Sequence, residues 1–244
     1  MAGSSLFGSD SESDNELDDA IAGPSRSQGF AHSRTAAPPP RSCRGDRSST
    51  VSPRAAPEGL FHFPQAIPIE LQTLLVHNIT ITLPLTVKQN QLMYFAHLPS
   101  ALDPLLHRLN ADIPTYGLPT EVLEDLLDRP DHERDRQAII NLYRPGMGIA
   151  PHVDLPHRYS SVILGISLLG TTVMDFVSTC DSENKFELVL RPGDVYILSG
   201  KSRYAWTHGI QYRDSDWIEG EERKRGLRIS VTLRRMKEGG HVVG

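Results

Sequence analysis

Three residues have side chains of the types that bind a transition metal. His152 and Asp154 are two positions apart in the sequence, and His208 follows much later. Residues two apart on a β-strand point to the same face, so a strand would direct His152 and Asp154 toward one ion. With His208 they would form the two-histidine, one-carboxylate set that binds Fe(II) and leaves positions open for a co-substrate and dioxygen. A structural zinc would need four ligands, usually cysteines. The competing interpretation is a surface turn, because a His-x-Asp pair alone is a weak signal.

Residues 227–234 (LRISVTLR) alternate apolar and polar side chains without a break, which predicts a β-strand with two unlike faces. The polar face could lie in water, or it could line a barrel interior while the apolar face packs on helices. In the second case Arg228 and Arg234 could each pair with a carboxylate of an acid co-substrate. In an ideal strand these arginines lie about 20 Å apart, so their spacing leaves both interpretations open.

The elements that must position these residues can be predicted from periodicity. From residue 69 to residue 127 apolar residues recur at helical spacing, which predicts helices, the last beginning at an N-cap Thr120 and ending at Pro130. After residue 136, short runs rich in Val, Ile and Thr alternate with Gly and Pro turns, which favours a barrel or a double-sheet jelly roll. The predicted fold class is mainly β with flanking helices (α+β). The predicted strands are 138–143, 162–169, 172–176, 186–190, 195–198 and 227–233.

Composition divides the chain in two. Residues 1–57 are rich in Ser, Pro, Gly, Ala and charge, which predicts a disordered tail that acts as a spacer or a regulatory segment. Residues 58–240 form the predicted domain.

The net charge of −5 does not support a nucleic-acid partner and does not exclude one, because local patches decide binding. Without a signal-peptide pattern or a long apolar run, we expect the nucleus and/or the cytoplasm, no secretion and no membrane partner.

Four separated sequence blocks resemble motifs of the AlkB family of Fe(II)/2-oxoglutarate dioxygenases, and they occur in the same order as in that family. They are 141–146 (NLYRPG), His152-x-Asp154, His208 and 228–234 (RISVTLR). The likeness covers nearly all of 59–236 and is greatest to the branch that contains the AlkB-like domain of the tRNA wobble-uridine hydroxylase. It implies a double-stranded β-helix (jelly-roll) core, with Fe(II), 2-oxoglutarate and dioxygen as cofactor and co-substrates. It also implies that His152, Asp154 and His208 are the iron ligands.

The resemblance further implies a 2-oxoglutarate site. Arg228 would pair with the distal carboxylate, helped by the Tyr143 hydroxyl. Arg234 and Asn141 would hold the carboxylate and keto end near the metal. Ser230 stands where several family members have Asn and could still donate one hydrogen bond.

The family implies a substrate as well, a base in RNA or DNA that is demethylated or hydroxylated. Separately, we expect the protein to be a monomer. The alternative is a protein or small-molecule hydroxylase with the same core. The sequence departs from the repair-type members at Pro156, where they carry a second acid that helps recognise the base. His157 or Tyr159 could stack on a flipped base, or simply pack. Several cations are expected near the opening of the predicted barrel, where they could contact phosphates or be solvated: Arg144, Arg158, Lys201, Arg203, Arg213, Arg223, Lys224 and Arg225.

Overall fold

The computed structural model of the protein describes residues 55–127 and 136–237. Nearly all of the predicted tail, residues 1–57, lies outside the described residues, as do Pro130 and the last residues of the predicted domain, 58–240. The two domain boundaries therefore stay predictions. Within the described ranges, no helix combines the length and apolar character needed to cross a bilayer.

In these ranges the chain forms four α-helices and twelve strands, with short 3-10 turns at Ser100–Leu102 and Ile113–Thr115. The helices are α1 (Ile69–Thr82), α2 (Asp103–Asp112), α3 (Thr120–Leu126) and α4 (Gly200–Tyr204). The strands are β1 (Leu60–Phe63), β2 (Gln91–Phe95), β3 (Arg136–Tyr143), β4 (Ile149–His152), β5 (Tyr159–Leu169), β6 (Thr172–Ser178), β7 (Lys185–Leu190), β8 (Val195–Leu198), β9 (Trp206–Ile210), β10 (Ser215–Ile218), β11 (Glu221–Lys224) and β12 (Arg228–Met236).

Two antiparallel sheets face each other. The larger sheet has the strand order β1-β8-β5-β12-β3-β2 and the smaller one β4-β9-β6-β7, while β10 and β11 form a separate hairpin. Apolar side chains from both sheets meet between them, among them Ile163 on β5, Phe176 on β6 and Trp206 on β9. This arrangement is a double-sheet jelly roll. The predicted fold class, mainly β with flanking helices, is confirmed.

The two faces of β12 differ as the alternation predicts. Ile229 and Val231 are fully buried in the core that the larger sheet shares with α1, α2 and α3. Arg228, Ser230 and Arg234 are also buried, and they lie on the opposite face of the strand, toward the smaller sheet. The interior placement of the polar face is therefore confirmed, and a solvated face is wrong.

The prediction of helices throughout 69–127 is wrong at β2. Leu92 and Tyr94 pack in the core on the helix side of the larger sheet, and β2 pairs with β3. A short stretch of alternating buried residues therefore lies between two helices. Thr120 is helical, follows Pro119 and makes no side-chain cap bond, and α3 ends at Leu126, before Pro130. All six predicted strands are present with ends shifted by a few residues, but β1, β9, β10 and β11 were missed because they are short and partly polar. The strand expected at His152 is β4, which ends at that residue, so Asp154 lies outside it.

A buried carboxylate holds the β10–β11 hairpin to the smaller sheet. Asp216, 2% exposed, accepts hydrogen bonds from Arg225 Nε at 2.6 Å and Nη2 at 2.7 Å, and from Arg213 Nε at 2.8 Å. The Val173 N–H at the start of β6 donates to it at 3.2 Å. Burial raises the pKa of Asp216, but the hydrogen bonds from Arg225 and Arg213 outweigh it, so the pKa lies below its usual value of 3.8.

We expect Asp216→Asn to lower the free energy of unfolding at pH 7 by about 3 kcal/mol, because it leaves the buried Arg225 and the half-buried Arg213 without a counter-charge. A carboxyl whose pKa is lowered by folding stabilises the fold above its unfolded pKa and loses that effect as the pH falls through its folded pKa. The difference between variant and parent should therefore shrink as the pH falls below 3.8, measured by urea unfolding across pH. Asp112→Asn, which breaks the exposed pair with Arg108, should cost less than about 1 kcal/mol. A pH-independent loss for Asp216→Asn would contradict the role of its charge.

Candidate metal centre

Two strands of the smaller sheet bring the predicted ligands together. His152 on β4 is the cross-strand partner of His208 on β9, and their ring centroids lie 4.4 Å apart. Asp154 lies two residues beyond the end of β4, and its Oδ2 lies 3.5 Å from His208 Nε2. One ligand atom from each residue lies within 4.8 Å of the other two. The three side chains could thus hold one ion.

An irregularity in the pairing of β4 with β9 directs His152. Ile149 pairs with Ile210 and His152 with His208, so β4 has one extra residue between these pairs, which is a β-bulge. Gly209 permits it: a Cβ at Gly209 would lie 2.9 Å from the Pro151 nitrogen. The Ala150 carbonyl can only accept, so His152 Nδ1 donates to it, at 2.9 Å. That bond leaves the lone pair on Nε2 for a metal.

Two arginines hold Asp154, one through its carboxylate and the other through its backbone carbonyl. Arg234 Nη1 forms an ion pair with Asp154 Oδ1, and Arg234 Nε donates to Gln137 Oε1 at 2.5 Å. Arg203, 2% exposed, donates from Nη1 to the Asp154 carbonyl at 2.8 Å. Burial raises the pKa of Asp154, but Arg234, His208 and His152 together hold it below its usual value. Asp154 is therefore ionised at neutral pH, as a metal ligand must be.

The donor set fits a divalent iron. Burial lowers the pKa of His208 to about 4, only partly opposed by Asp154, so the imidazole is neutral at pH 7 and has a free lone pair. Two imidazoles and one ionised carboxylate match the two-histidine, one-carboxylate facial triad of Fe(II) oxygenases. Asp154 and His208 are 5% and 9% exposed, whereas His152 is only half-buried. The centre is therefore open to solvent on the β4 side.

A second buried cation, Arg228, lies at the start of β12. Arg228, 3% exposed, donates from Nε to Ser167 Oγ at 2.9 Å, and its guanidinium lies 5.2 Å from the centre of the Tyr143 ring. Its Nη2 has no hydrogen-bond partner among the described residues. Asn141 and Ser230 are cross-strand partners, and both hydrogen bond with Tyr143. A buried guanidinium with an unused donor, beside hydroxyl and amide groups, fits the carboxylate of an organic acid.

Tyr196 on β8 was not predicted as a site residue. It lies between Arg228 and Arg234, the two buried arginines of β12. A Cβ at Gly165 on β5 would lie 2.1 Å from its ring, so the ring covers that glycine on the inner face of the larger sheet. Burial raises the pKa of Tyr196, and it interacts electrostatically with both Arg228 and Asp154. The tyrosine is therefore neutral and faces the space between the metal centre and Arg228. The available signal was one hydroxyl in the apolar run 195–198 (VYIL).

The structure assigns other roles to several residues expected at the mouth. Tyr159 is buried, and its ring lies 3.5 Å from the Arg234 guanidinium, so stacking of Tyr159 on a substrate is wrong. Arg203 and Arg225 are buried and hold backbone carbonyls or Asp216, so their expected contacts with phosphates are also wrong. His157 is exposed. Ion pairs occupy three more of the cations: Lys201 with Glu58, Arg213 with Asp216 and Arg223 with Glu221.

A sequence model of the 2OG-Fe(II) oxygenase superfamily matches residues 87–234. The uncharacterized protein L905 of Acanthamoeba polyphaga mimivirus is 34% identical over 147 residues, which cover 60% of this chain and 70% of that protein. The mitochondrial alpha-ketoglutarate-dependent dioxygenase alkB homolog 7 of Mus musculus is 47% identical over 92 residues, 37% of this chain and 41% of its own length.

The tRNA (carboxymethyluridine(34)-5-O)-methyltransferase alkbh8 of Xenopus tropicalis is 37% identical over 142 residues, 50% of this chain and 22% of its own length. The chain thus spans less than half of the mouse and frog proteins. Among solved structures, OsALKBH1 covers 72% of this chain and 98% of its own, at 17% identity and a TM-score of 0.46.

We expect Gly209→Ala to weaken Fe(II) binding at least tenfold, because the new Cβ would push the β4 bulge away and displace His152 from His208. Anaerobic calorimetric titration with Fe(II) would measure the loss. Gly226→Ala is the matched control, since a Cβ there meets nothing within 4 Å. Equal Fe(II) affinity in the two variants would show that the bulge does not set the ligand geometry.

Proposed function

The chain belongs to the 2OG-Fe(II) oxygenase superfamily, and from this premise we propose that it oxidises a base in RNA or DNA, by demethylation or hydroxylation. It is a 2-oxoglutarate-dependent dioxygenase that uses Fe(II), 2-oxoglutarate and dioxygen. The observation that carries the choice of substrate is that the frog relative, matched across half of this chain, is named for an activity on tRNA.

In this proposal His152, Asp154 and His208 hold the iron. Bound iron supplies the oxidation of a substrate C–H bond, coupled to the conversion of 2-oxoglutarate and dioxygen into succinate and CO2. The Ala150 carbonyl keeps His152 oriented. Arg234 pairs with the Asp154 carboxylate, which keeps that carboxylate ionised and fixes its position.

The same proposal assigns the rest of the inner face to 2-oxoglutarate. Arg228 would bind the distal carboxylate through its unused Nη2. The Tyr143 hydroxyl and Ser230 would complete that end. Asn141 was expected beside Arg234 at the metal end, but it hydrogen bonds with Tyr143, so this proposal assigns it to the Arg228 end instead. Arg234, which lies against Asp154, would hold the end of the co-substrate nearest the metal. Burial of these groups excludes bulk water from the co-substrate and strengthens each charged contact.

A second candidate is a protein or small-molecule hydroxylase with the same residues at the centre. One observation favours it: Lys201, Arg203, Arg213, Arg223 and Arg225 are engaged within the described part of the chain. Fewer cations are then available for phosphates, and the net charge is −5.

Succinate release separates the two candidates. We expect methylated oligonucleotides or tRNA to stimulate succinate formation by the full chain, and peptide pools not to. Stimulation by peptides alone would support the second candidate and contradict the first. His152→Ala should abolish turnover with its circular dichroism spectrum unchanged, because one ligand of the centre is lost. Turnover retained by that variant would refute the role of His152.

We expect Arg228→Gln to raise the KM for 2-oxoglutarate at least tenfold, because a charge-assisted hydrogen bond to a buried carboxylate contributes about 1.5–3 kcal/mol. Anaerobic titration with 2-oxoglutarate should show the same loss of affinity, while Fe(II) affinity changes little. Arg108→Gln, on α2 and paired with Asp112, should leave both constants unchanged. An unaltered affinity for 2-oxoglutarate in Arg228→Gln would contradict this assignment.

A further inference from the structure

Tyr196 lies on the face of the larger sheet that is directed toward the smaller sheet. On β8, Val195 and Ile197 pack in the core beside the helices, whereas Tyr196 and Leu198 pack in the core between the two sheets. Successive residues of a strand point to opposite faces, so this division follows the alternation along β8. The tyrosine therefore shares the inner face with the polar side chains of β12.

Strand register places the tyrosine between the two buried arginines. Tyr196 is the cross-strand partner of Gly165 on β5, and Gly165 is the partner of Thr232 on β12. Every second residue of β12 points inward, so Thr232 lies between Arg228 and Arg234 on that face. Tyr196 thus belongs to the cross-strand row that runs between the two arginines.

The missing side chain of Gly165 lets the Tyr196 ring extend across β5. A Cβ at Gly165 would lie 2.1 Å from Tyr196 Cζ and 2.4 Å from the hydroxyl oxygen. The hydroxyl end of the ring therefore covers this glycine. Neighbouring strands are about 4.8 Å apart, so the hydroxyl lies one strand away from β12.

Arg228 reaches the same strand from the opposite side. Its Nε donates to Ser167 Oγ on β5 at 2.9 Å. Ser167 lies two residues beyond Gly165 and points to the same face, about 7 Å along the strand. The guanidinium from β12 and the hydroxyl of Tyr196 from β8 therefore converge above β5.

Both of these groups have an unused donor. Tyr196 is 5% exposed, and within residues 55–127 and 136–237 its hydroxyl makes no hydrogen bond. Arg228 Nη2 also has no partner in those ranges. Burial raises the pKa of Tyr196, so its hydroxyl keeps its proton. A buried donor without an acceptor is costly, and two of them on one face indicate a ligand that carries acceptor oxygens.

We propose that the Tyr196 hydroxyl donates a hydrogen bond to the distal carboxylate of 2-oxoglutarate, which makes Tyr196 a further co-substrate-contacting residue of this dioxygenase. An ionised carboxylate has about four acceptor sites, so it can accept from Arg228 and from the phenol together. The phenol adds a donor to this end of the site without burying a second cation there. This inference rests on the proposed assignment of Arg228 to the same carboxylate and is independent of the choice of oxidised substrate.

The test measures binding without turnover. The full chain loaded with Fe(II) is titrated with 2-oxoglutarate in the absence of oxygen, and the visible absorption of the Fe(II)–2-oxoglutarate complex gives the Kd. We expect Tyr196→Phe to raise this Kd about tenfold, because it removes one hydrogen bond to a charged group. Its affinity for Fe(II) should not change. Without ligands, its melting temperature should not fall, because the hydroxyl has no protein partner to lose.

Tyr116→Phe is the matched control. It removes a hydroxyl that also lacks a partner in the described ranges, but Tyr116 packs on the helix side of the larger sheet. The same chemical change there should leave the Kd for 2-oxoglutarate unaltered.

A second ligand separates a direct contact from a structural effect. 2-Oxopentanoate has the same chain length as 2-oxoglutarate, with a methyl group in place of the distal carboxylate. We expect the parent protein and Tyr196→Phe to bind it equally, because it has no distal acceptor for the phenol. An equal loss of affinity for both keto acids in Tyr196→Phe would assign the effect to a displaced ring and overturn the inference.

The Arg228→Gln variant distinguishes the remaining outcomes. If Arg228→Gln weakens the binding of 2-oxoglutarate while Tyr196→Phe binds it like the parent protein, the inference alone is wrong. If neither variant loses affinity, the assignment of this face to 2-oxoglutarate is wrong and the inference with it. Neither result depends on whether the oxidised substrate is a nucleic acid, because no such substrate is present in the titration.

Discussion

The pairing of β4 with β9 is the constraint on which the metal centre depends. It sets His152 directly across from His208, and the bulge before His152 turns that imidazole so that its Nδ1 is used by the Ala150 carbonyl. Gly209 makes the bulge possible because any larger residue would collide with Pro151. The distance between the two imidazoles is therefore a property of the backbone ladder, and only Asp154 has to be positioned by side chains.

Charge burial on β12 has opposite outcomes at its two ends. Arg234 pairs with Asp154 and helps to hold the pKa of that carboxyl below its usual value, against the effect of burial, which raises it. Arg228 has hydroxyl partners, but one of its donors has none among the described residues. A buried cation in that state is costly for the fold. Binding of a carboxylate would remove much of this cost, so under the proposed assignment Arg228 would favour co-substrate binding at the expense of the stability of the unbound fold.

Local periodicity explains which elements could be predicted. The alternation in 228–234 needed no knowledge of the fold, since side chains on a strand change face at every residue. By contrast, β2 escaped prediction because five alternating residues between two helices carry too little periodic signal. Tyr159 and Arg203 were assigned to the mouth by their place in the sequence, but both face inward, against Arg234 and the Asp154 carbonyl respectively. Sequence position near a site does not reveal which way a loop side chain points.

Three features can be predicted without knowledge of the fold: the residue types of the centre, the two-faced last strand and the mainly β class. Each depends on chemistry or on spacing within a few residues. Only the folded arrangement shows which arginine meets a carboxylate and that Tyr196 lies between Arg228 and Arg234. These contacts join residues tens of positions apart. Their formation depends on strand register and packing, which no local pattern encodes.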